Sequence, residues 1–310
     1  MSVATRADAV LTVPTLRAEI IRGLSFSDYH ELEAASNSRL GLIKRSPAHL
    51  YAERLDPSPD TPALITGRAF HSLVLEPDSF AGIYDMAGQC CGTTGKGTRC
   101  TNAGNRRRAG EWFCGVRGHD PEPDMQPDRL SVLDPEQASA VQGMRDAVML
   151  HDLAGPLIER ATDRELSALW TDERTGQLCK ARWDAPDADA GVIADLKSCD
   201  DASPSGFRRS LGRWAYHRQN AFYMDGAAVV APGSFDTFVF IAVEKKPPYG
   251  VAMYHLPDAA IEAGREEYRR LLARYTECEL SGQWPGYPAR VDTLDVPAWV
   301  YSELDFFGGF

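Results

Sequence analysis

The stretch 165–198 leaves little freedom for the fold. It holds three short apolar runs, "ELSALWT", "LCKARWD" and "VIADLKS", with the turn-forming "DERTGQ" between the first two and the polar "APDADAG" before the third. Runs of this length bounded by turn residues read as strands, the first two as a hairpin. Val192, Ile193 and Leu196 make the third apolar enough to lie inside a sheet. "SPSGFRRSLGRWAYHRQNAFYMDGA" then reads as one amphipathic helix. Ser203 is its expected N-cap, Pro204 its first helical residue, and Phe207, Leu211, Trp214 and Ala215 its inward face. Two further strand runs, "DTFVFIAVEKK" and "GVAMYHLP", and a long charged helix, "PDAAIEAGREEYRRLLARYTECEL", follow. The expected fold is α/β, with a mixed central sheet flanked by helices.

Upstream, helices are expected over 38–55, interrupted at Ser46-Pro47, over 61–75 with Pro62 in its first turn, and over 135–160. The first ordered segment is placed near Ser38. Hydrophobic residues make up 44% of the 310 and charged ones 25%, proportions of a soluble globular protein. They exclude a disordered chain, a collagen-like repeat and a membrane channel. Arg6, Asp8, Arg17, Glu19 and Arg22 stand where a secretory signal would carry its apolar core. No run approaches the ~18 apolar residues of a membrane helix, so a cytoplasmic protein is expected. The net charge of −11 means that nucleic acid could be held only through a local basic cleft or bound cations.

The chemistry gathers around "VIADLK". Asp195 and Lys197 are two apart on a strand and share a face. Asp184 closes the preceding strand, which lies alongside if the two pair. Two carboxylates and the Leu196 carbonyl are the hard oxygen donors that Mg²⁺ takes. A lysine beside such an ion steadies charge developing on a phosphoryl oxygen. On their own these residues also fit a turn aspartate and a solvated ion pair, because D-x-K is a common pattern. His71 lies four residues after Gly67 on the 61–75 helix, on one face with it. Gln219 and Tyr223 are likewise four apart. Arg208, Arg209, Arg213 and Arg218 form a basic run, read either as a phosphate track or as a solvated face paired with Asp200 and Asp201.

Taken in order, "SNSRLGLIKRSPAHLYAERL", "GRAFHSLVLEPDSF", "CKARWDAPDADAGVIADLKSCDDASPSGFRRS" and "YHRQNAFYMDG" resemble the PD-(D/E)XK nuclease superfamily in its RecB/lambda-exonuclease branch, and most narrowly the RecE-type exonuclease domains of phages and prophages. The resemblance runs from 36 to 226. It implies one nuclease domain over 1–310, with Asp184 and Asp195 as ligands of Mg²⁺ or Mn²⁺ and Lys197 as the catalytic lysine. His71 would bind metal or hold the site, and Gln219 and Tyr223 would orient the reacting groups. Glu165 stands where some relatives carry an acid, but the fit is loose, and it is read as a turn or cap residue. Trp183 replaces the proline of the superfamily name. The implied activity is 5′→3′ digestion of double-stranded DNA ends by a homo-oligomer that feeds a single-strand annealing protein. A Cas4-like nuclease of other polarity, or a non-catalytic DNA-end adaptor, are the alternatives.

Four of the seven cysteines crowd into a glycine- and arginine-rich stretch with few aliphatic residues. The spacing Cys90-x9-Cys100-x13-Cys114-x4-His119, with Cys91 as an alternative first ligand, suits tetrahedral Zn²⁺. Residues 88–121 are therefore expected to be an inserted structural zinc module; if it also grips DNA, Arg106, Arg107 and Arg108 would make the contact. An iron–sulfur cluster is the rival; the resemblance implies, for relatives that carry one, a cysteine before the nuclease core and three near the C-terminus, where this chain has only Cys278, so it is disfavoured.

Overall fold

The computed structural model describes residues 17–86, 106–108, 111–113 and 131–296. Two elements precede the first one expected: strand β1 (Ala18–Ile21) and the short helix α1 (Phe26–Glu31). Helices α2 (Asn37–Arg45) and α3 (Pro47–Leu55) are separated at Ser46-Pro47, since proline cannot continue the hydrogen-bond ladder. Helix α4 (Pro62–Leu75) starts at Thr61, whose hydroxyl accepts from the Leu64 amide at 3.3 Å. It leads through α5 (Pro77–Ile83) into β2 (Tyr84–Met86). A ribbon of β3 (Arg106–Arg108) and β4 (Glu111–Phe113) comes next, and the chain returns in β5 (Ser131–Leu133), which pairs in parallel with β2. Cys90, Cys91, Cys100, Cys114 and His119 lie outside the described residues.

The helix expected over 135–160 is two helices, α6 (Pro135–Leu150) and α7 (Ala154–Arg160). His151 Nδ1 accepts from the Leu153 and Ala154 amides at 3.3 and 3.1 Å and so caps the second. The hairpin is β6 (Leu166–Thr171) and β7 (Leu178–Trp183), followed by β8 (Ala185–Asp187) and β9 (Val192–Cys199). The single helix expected after β9 is also two, α8 (Pro204–Trp214) and α9 (Tyr216–Val230). Ala215 between them is left-handed at φ 53°, which ends the first ladder and re-aims the chain. Trp214, expected inward, is 56% exposed. Strands β10 (Thr237–Glu244) and β11 (Val251–Tyr254) and the long helix α10 (Asp258–Ser281) follow.

Two sheets result. The antiparallel one has the order β1-β6-β7; the mixed one has the order β11-β10-β9-β8, with β9 and β10 parallel along their full length. The strand ending at Asp184 does not itself pair with β9. Its continuation β8 does, so β7 and β8 are one path bent at Asp184 that passes from the first sheet to the second. Strand β9 is buried on both faces. Ile193 packs with Trp183, Phe207 and Phe240 on one side, and Ala194 and Leu196 with Phe70, Met144 and Ile241 on the other. Gly264 lets α10 press against α9, since a Cβ there would fall 2.2 Å from the His217 carbonyl oxygen. No described helix is long and apolar enough to cross a membrane.

Candidate active site

Strand register assembles the carboxylates. In the hairpin Leu166 faces Trp183, and one step further Glu165 faces Asp184, with the Glu165 amide donating to the Asp184 carbonyl at 2.9 Å. In the second sheet Ala185 faces Ala194, and one step back Asp184 stands opposite Asp195. Glu165, Asp184 and Asp195 therefore form a row across three strands, at the bend where the sheets meet. Asp184 completes the edge of β9 in place of a strand: its Oδ2 accepts from the Leu196 amide at 2.7 Å. Helix α4 brings His71 to the row, with Nδ1 3.5 Å from Asp184 Oδ2. A Cβ on Gly67 would meet Ser198 Oγ at 3.6 Å, ordinary contact, so the approach of α4 to β9 does not itself demand glycine.

Lys197 pairs with Asp195 Oδ2, and Gln219 from α9 donates to Asp195 Oδ1 at 2.8 Å. Tyr223 lies one turn further along α9; burial keeps its phenol protonated, reinforced by Tyr29 and the charges of Asp195 and Asp184. Helix α9 begins after the left-handed break at Ala215 and carries Gln219 and Tyr223 on successive turns. It also sets Tyr216 beneath the lysine, with Nζ 5.1 Å from the ring centroid. Tyr216 was not singled out from the sequence; its place three residues before Gln219 is the only local hint.

The electrostatics are those of a site short of positive charge. Burial pushes Asp195 up to about 6 even though Lys197 pulls the other way. Asp184 is raised for the same reason. Glu165 is pushed up to about 8, by burial and then by Asp184. Burial works against the Lys197 ammonium, but Asp195 and Asp184 outweigh it and hold its pKa above the ordinary lysine value. The side chain is a firm cation, suited to steady negative charge. Burial and Lys197 lower His71 to about 4, which keeps the imidazole neutral, the form that ligates metal. Ligand atoms of His71, Glu165 and Asp184 all lie within 4.8 Å of one another. The buried Asp184 and half-buried Glu165 carboxylates, a neutral histidine and the adjoining Leu196 backbone fit a hard divalent cation, whose charge would lower the raised carboxylate pKa values. Glu165 thus stands in the site and not merely at a turn. Its backbone is left-handed at φ 49°, a conformation costly for a non-glycine residue and met at functional sites.

The basic run divides. Arg218 is only 3% exposed and braces the fold: it donates to Asn37 Oδ1 at 2.9 Å and to Glu267 Oε1 at 3.0 Å. Arg209 pairs with Asp201 at 3.0 Å, and Arg213 lies over Trp214. Arg218 is therefore removed from any phosphate track, since its guanidinium is already spent within the core.

A bent strand between two sheets, carrying an acidic row beside a D-x-K strand and backed by a helical glutamine, defines the PD-(D/E)XK class. The sequence matches the model of the family described as a PDDEXK-like domain of unknown function (DUF3799) over residues 36–297, and the chain belongs to that family. Among solved structures it is similar to a crystal structure described as a putative exonuclease from Eubacterium rectale. The TM-score is 0.53 at 14% identity, over 93% of this chain and 99% of the other. No curated protein matches the chain.

Proposed function

We propose that the protein is a divalent-metal-dependent deoxyribonuclease that digests linear double-stranded DNA from its ends. The observation that carries this reading is the row of Glu165, Asp184 and Asp195 against a firmly charged Lys197 and a neutral His71. His71, Glu165 and Asp184 would hold Mg²⁺ or Mn²⁺, with Asp195 and the Leu196 carbonyl beside them. Such an ion supplies Lewis-acid charge to a phosphoryl oxygen and makes hydroxide available near neutral pH. Lys197 steadies the negative charge that builds on the phosphoryl oxygens. Gln219 fixes one oxygen of Asp195 so that the other meets the lysine. The exonuclease description of the structural neighbour supports an end-dependent mode.

The resemblance to RecE-type domains extends the proposal to 5′→3′ polarity, a homo-oligomer, a single-strand annealing partner and phage or prophage recombination in the cytoplasm. For the cysteine module the support is its sequence alone: Cys90, Cys100, Cys114 and His119 would hold a structural Zn²⁺. The test of mode is digestion of end-labelled linear duplex beside covalently closed circles. Consumption of the linear form with circles intact is expected, with the label released first from 5′ ends. Linearisation of circles at a comparable rate would replace the exonuclease reading with an endonuclease one.

A further inference from the structure

Helix α1 carries an exposed aromatic pair. Phe26 opens the helix and keeps 48% of its surface exposed, and its ring centroid lies 4.2 Å from that of His30, tilted by 45°. The Arg68 guanidinium lies 5.3 Å from the Phe26 centroid. The helix does not need this ring for its anchorage. Tyr29 is its buried residue, and the Lys180 ammonium fastens its end by donating to the Tyr29 and Leu32 carbonyls at 2.5 and 2.9 Å.

Two connections tie the pair to the site. Arg68 and His71 are three residues apart on α4, so they are neighbours on one face, about 5–6 Å apart between their Cβ atoms. Arg182 donates to the Leu24 and Ser25 carbonyls at the start of α1, at 2.5 and 3.1 Å. The same guanidinium lies 3.7 Å from Glu165 Oε2. Lys180, Arg182, Arg68 and Arg39 all act on His30 as nearby positive charges. Asp60 pairs with Arg68 and Glu33 with Arg39, whereas Lys180 spends its donors on neutral carbonyls. Lys180 is only 3% exposed and the Arg182 side chain 10%, so Arg68 is the cation that borders the exposed aromatic surface.

We propose that Phe26 and His30, backed by Arg68, form a stacking subsite for an unpaired nucleobase of the strand entering the carboxylate site. The subsite rests on the nuclease reading for the nature of its ligand. Aromatic faces bordered by cations take bases of any sequence, at about 1–3 kcal/mol per base on alanine substitution. Phosphate contacts alone would leave the exposed ring without a purpose, and an apolar peptide would gain nothing from the cation.

The test is binding of a fluorescent single-stranded oligonucleotide, with Ca²⁺ replacing Mg²⁺, to wild type, Phe26→Ala and Phe26→Trp. Phe26→Ala is expected to weaken binding by about 5- to 100-fold, and Phe26→Trp to retain it. Moving one abasic nucleotide along the strand should find a register at which wild type loses the same factor and Phe26→Ala loses nothing more. Binding of Phe26→Ala within two-fold of wild type, or weakening that persists undiminished at every abasic position, overturns the subsite. Protein that shows the stacking effect but hydrolyses no DNA keeps the subsite and sinks the nuclease reading. Protein that cleaves DNA and is indifferent to Phe26 does the reverse, and protein that binds no oligonucleotide overturns both.

Discussion

Glu165→Gln should stabilise the metal-free protein at neutral pH while weakening its hold on metal. Burial and Asp184 raise Glu165 from an ordinary 4.5 to about 8, so the folded state keeps a proton that the unfolded chain gives up. The stabilisation that this proton brings is full below pH 4.5 and is lost as the pH rises through about 8. Between pH 4.5 and 7.5 the wild type should therefore lose on the order of 3 kcal/mol from this group alone. Glutamine has no such proton, so the difference between the two proteins reports Glu165 together with its coupling to Asp184. The assay is urea unfolding in excess chelator at pH 4.5, 6 and 7.5. The gap in favour of the variant should be small at the lowest pH and widen upward. Saturating Mg²⁺ or Mn²⁺ at pH 7.5 should narrow it by stabilising the wild type more. A gap independent of pH, or a wild type that gains on the variant as pH rises, would refute the placing of an ionisable Glu165 in the buried row.

Two further outcomes follow from other parts of the fold. Arg218→Met removes the brace between Asn37 and Glu267 and leaves Glu267 short of a buried partner; chemical denaturation should show a loss of about 3 kcal/mol, while the salt dependence of DNA binding stays as in wild type. Should the salt slope fall instead, with stability intact, Arg218 belongs to a phosphate track after all. Wild-type protein should carry about one Zn²⁺ per chain by elemental analysis, lost in Cys114→Ser; iron, or no metal, would overturn the ligand set of the cysteine module.

The sequence was most legible where periodicity and burial agree. The hairpin, the doubly buried β9 and the split at Ser46-Pro47 follow from apolar spacing and proline geometry, and the structure has all three. It was least legible where the site is made. Ala215 carries no sign that it will adopt φ 53°, because glycine or asparagine is the usual mark of that conformation. The break before the helix that carries Gln219 and Tyr216 was therefore hidden inside an amphipathic pattern continuous across it. The turn at Asp184 was hidden likewise, since alternation alone does not show a strand changing sheets. Glu165 could have been placed: counting back through the hairpin from its turn sets it opposite Asp184, and this register, not the local look of "RELSA", decides its role. Strand β1 and helix α1 were missed because each is too short to show a period.

Hydrolysis of linear duplex by purified wild type and Lys197→Met, with and without Mg²⁺, tests the central claim most directly. The lysine is a half-buried cation paired with Asp195, so its loss removes the charge that meets the phosphoryl oxygens, and far-ultraviolet circular dichroism of the variant reports whether the sheet survives. Digestion should require the metal in wild type and fall by about 10²–10³-fold in the variant. A folded Lys197→Met that digests DNA at the wild-type rate, or a wild type that digests none with Mg²⁺ or Mn²⁺ present, would contradict the assignment of this acidic row and lysine as a nuclease site.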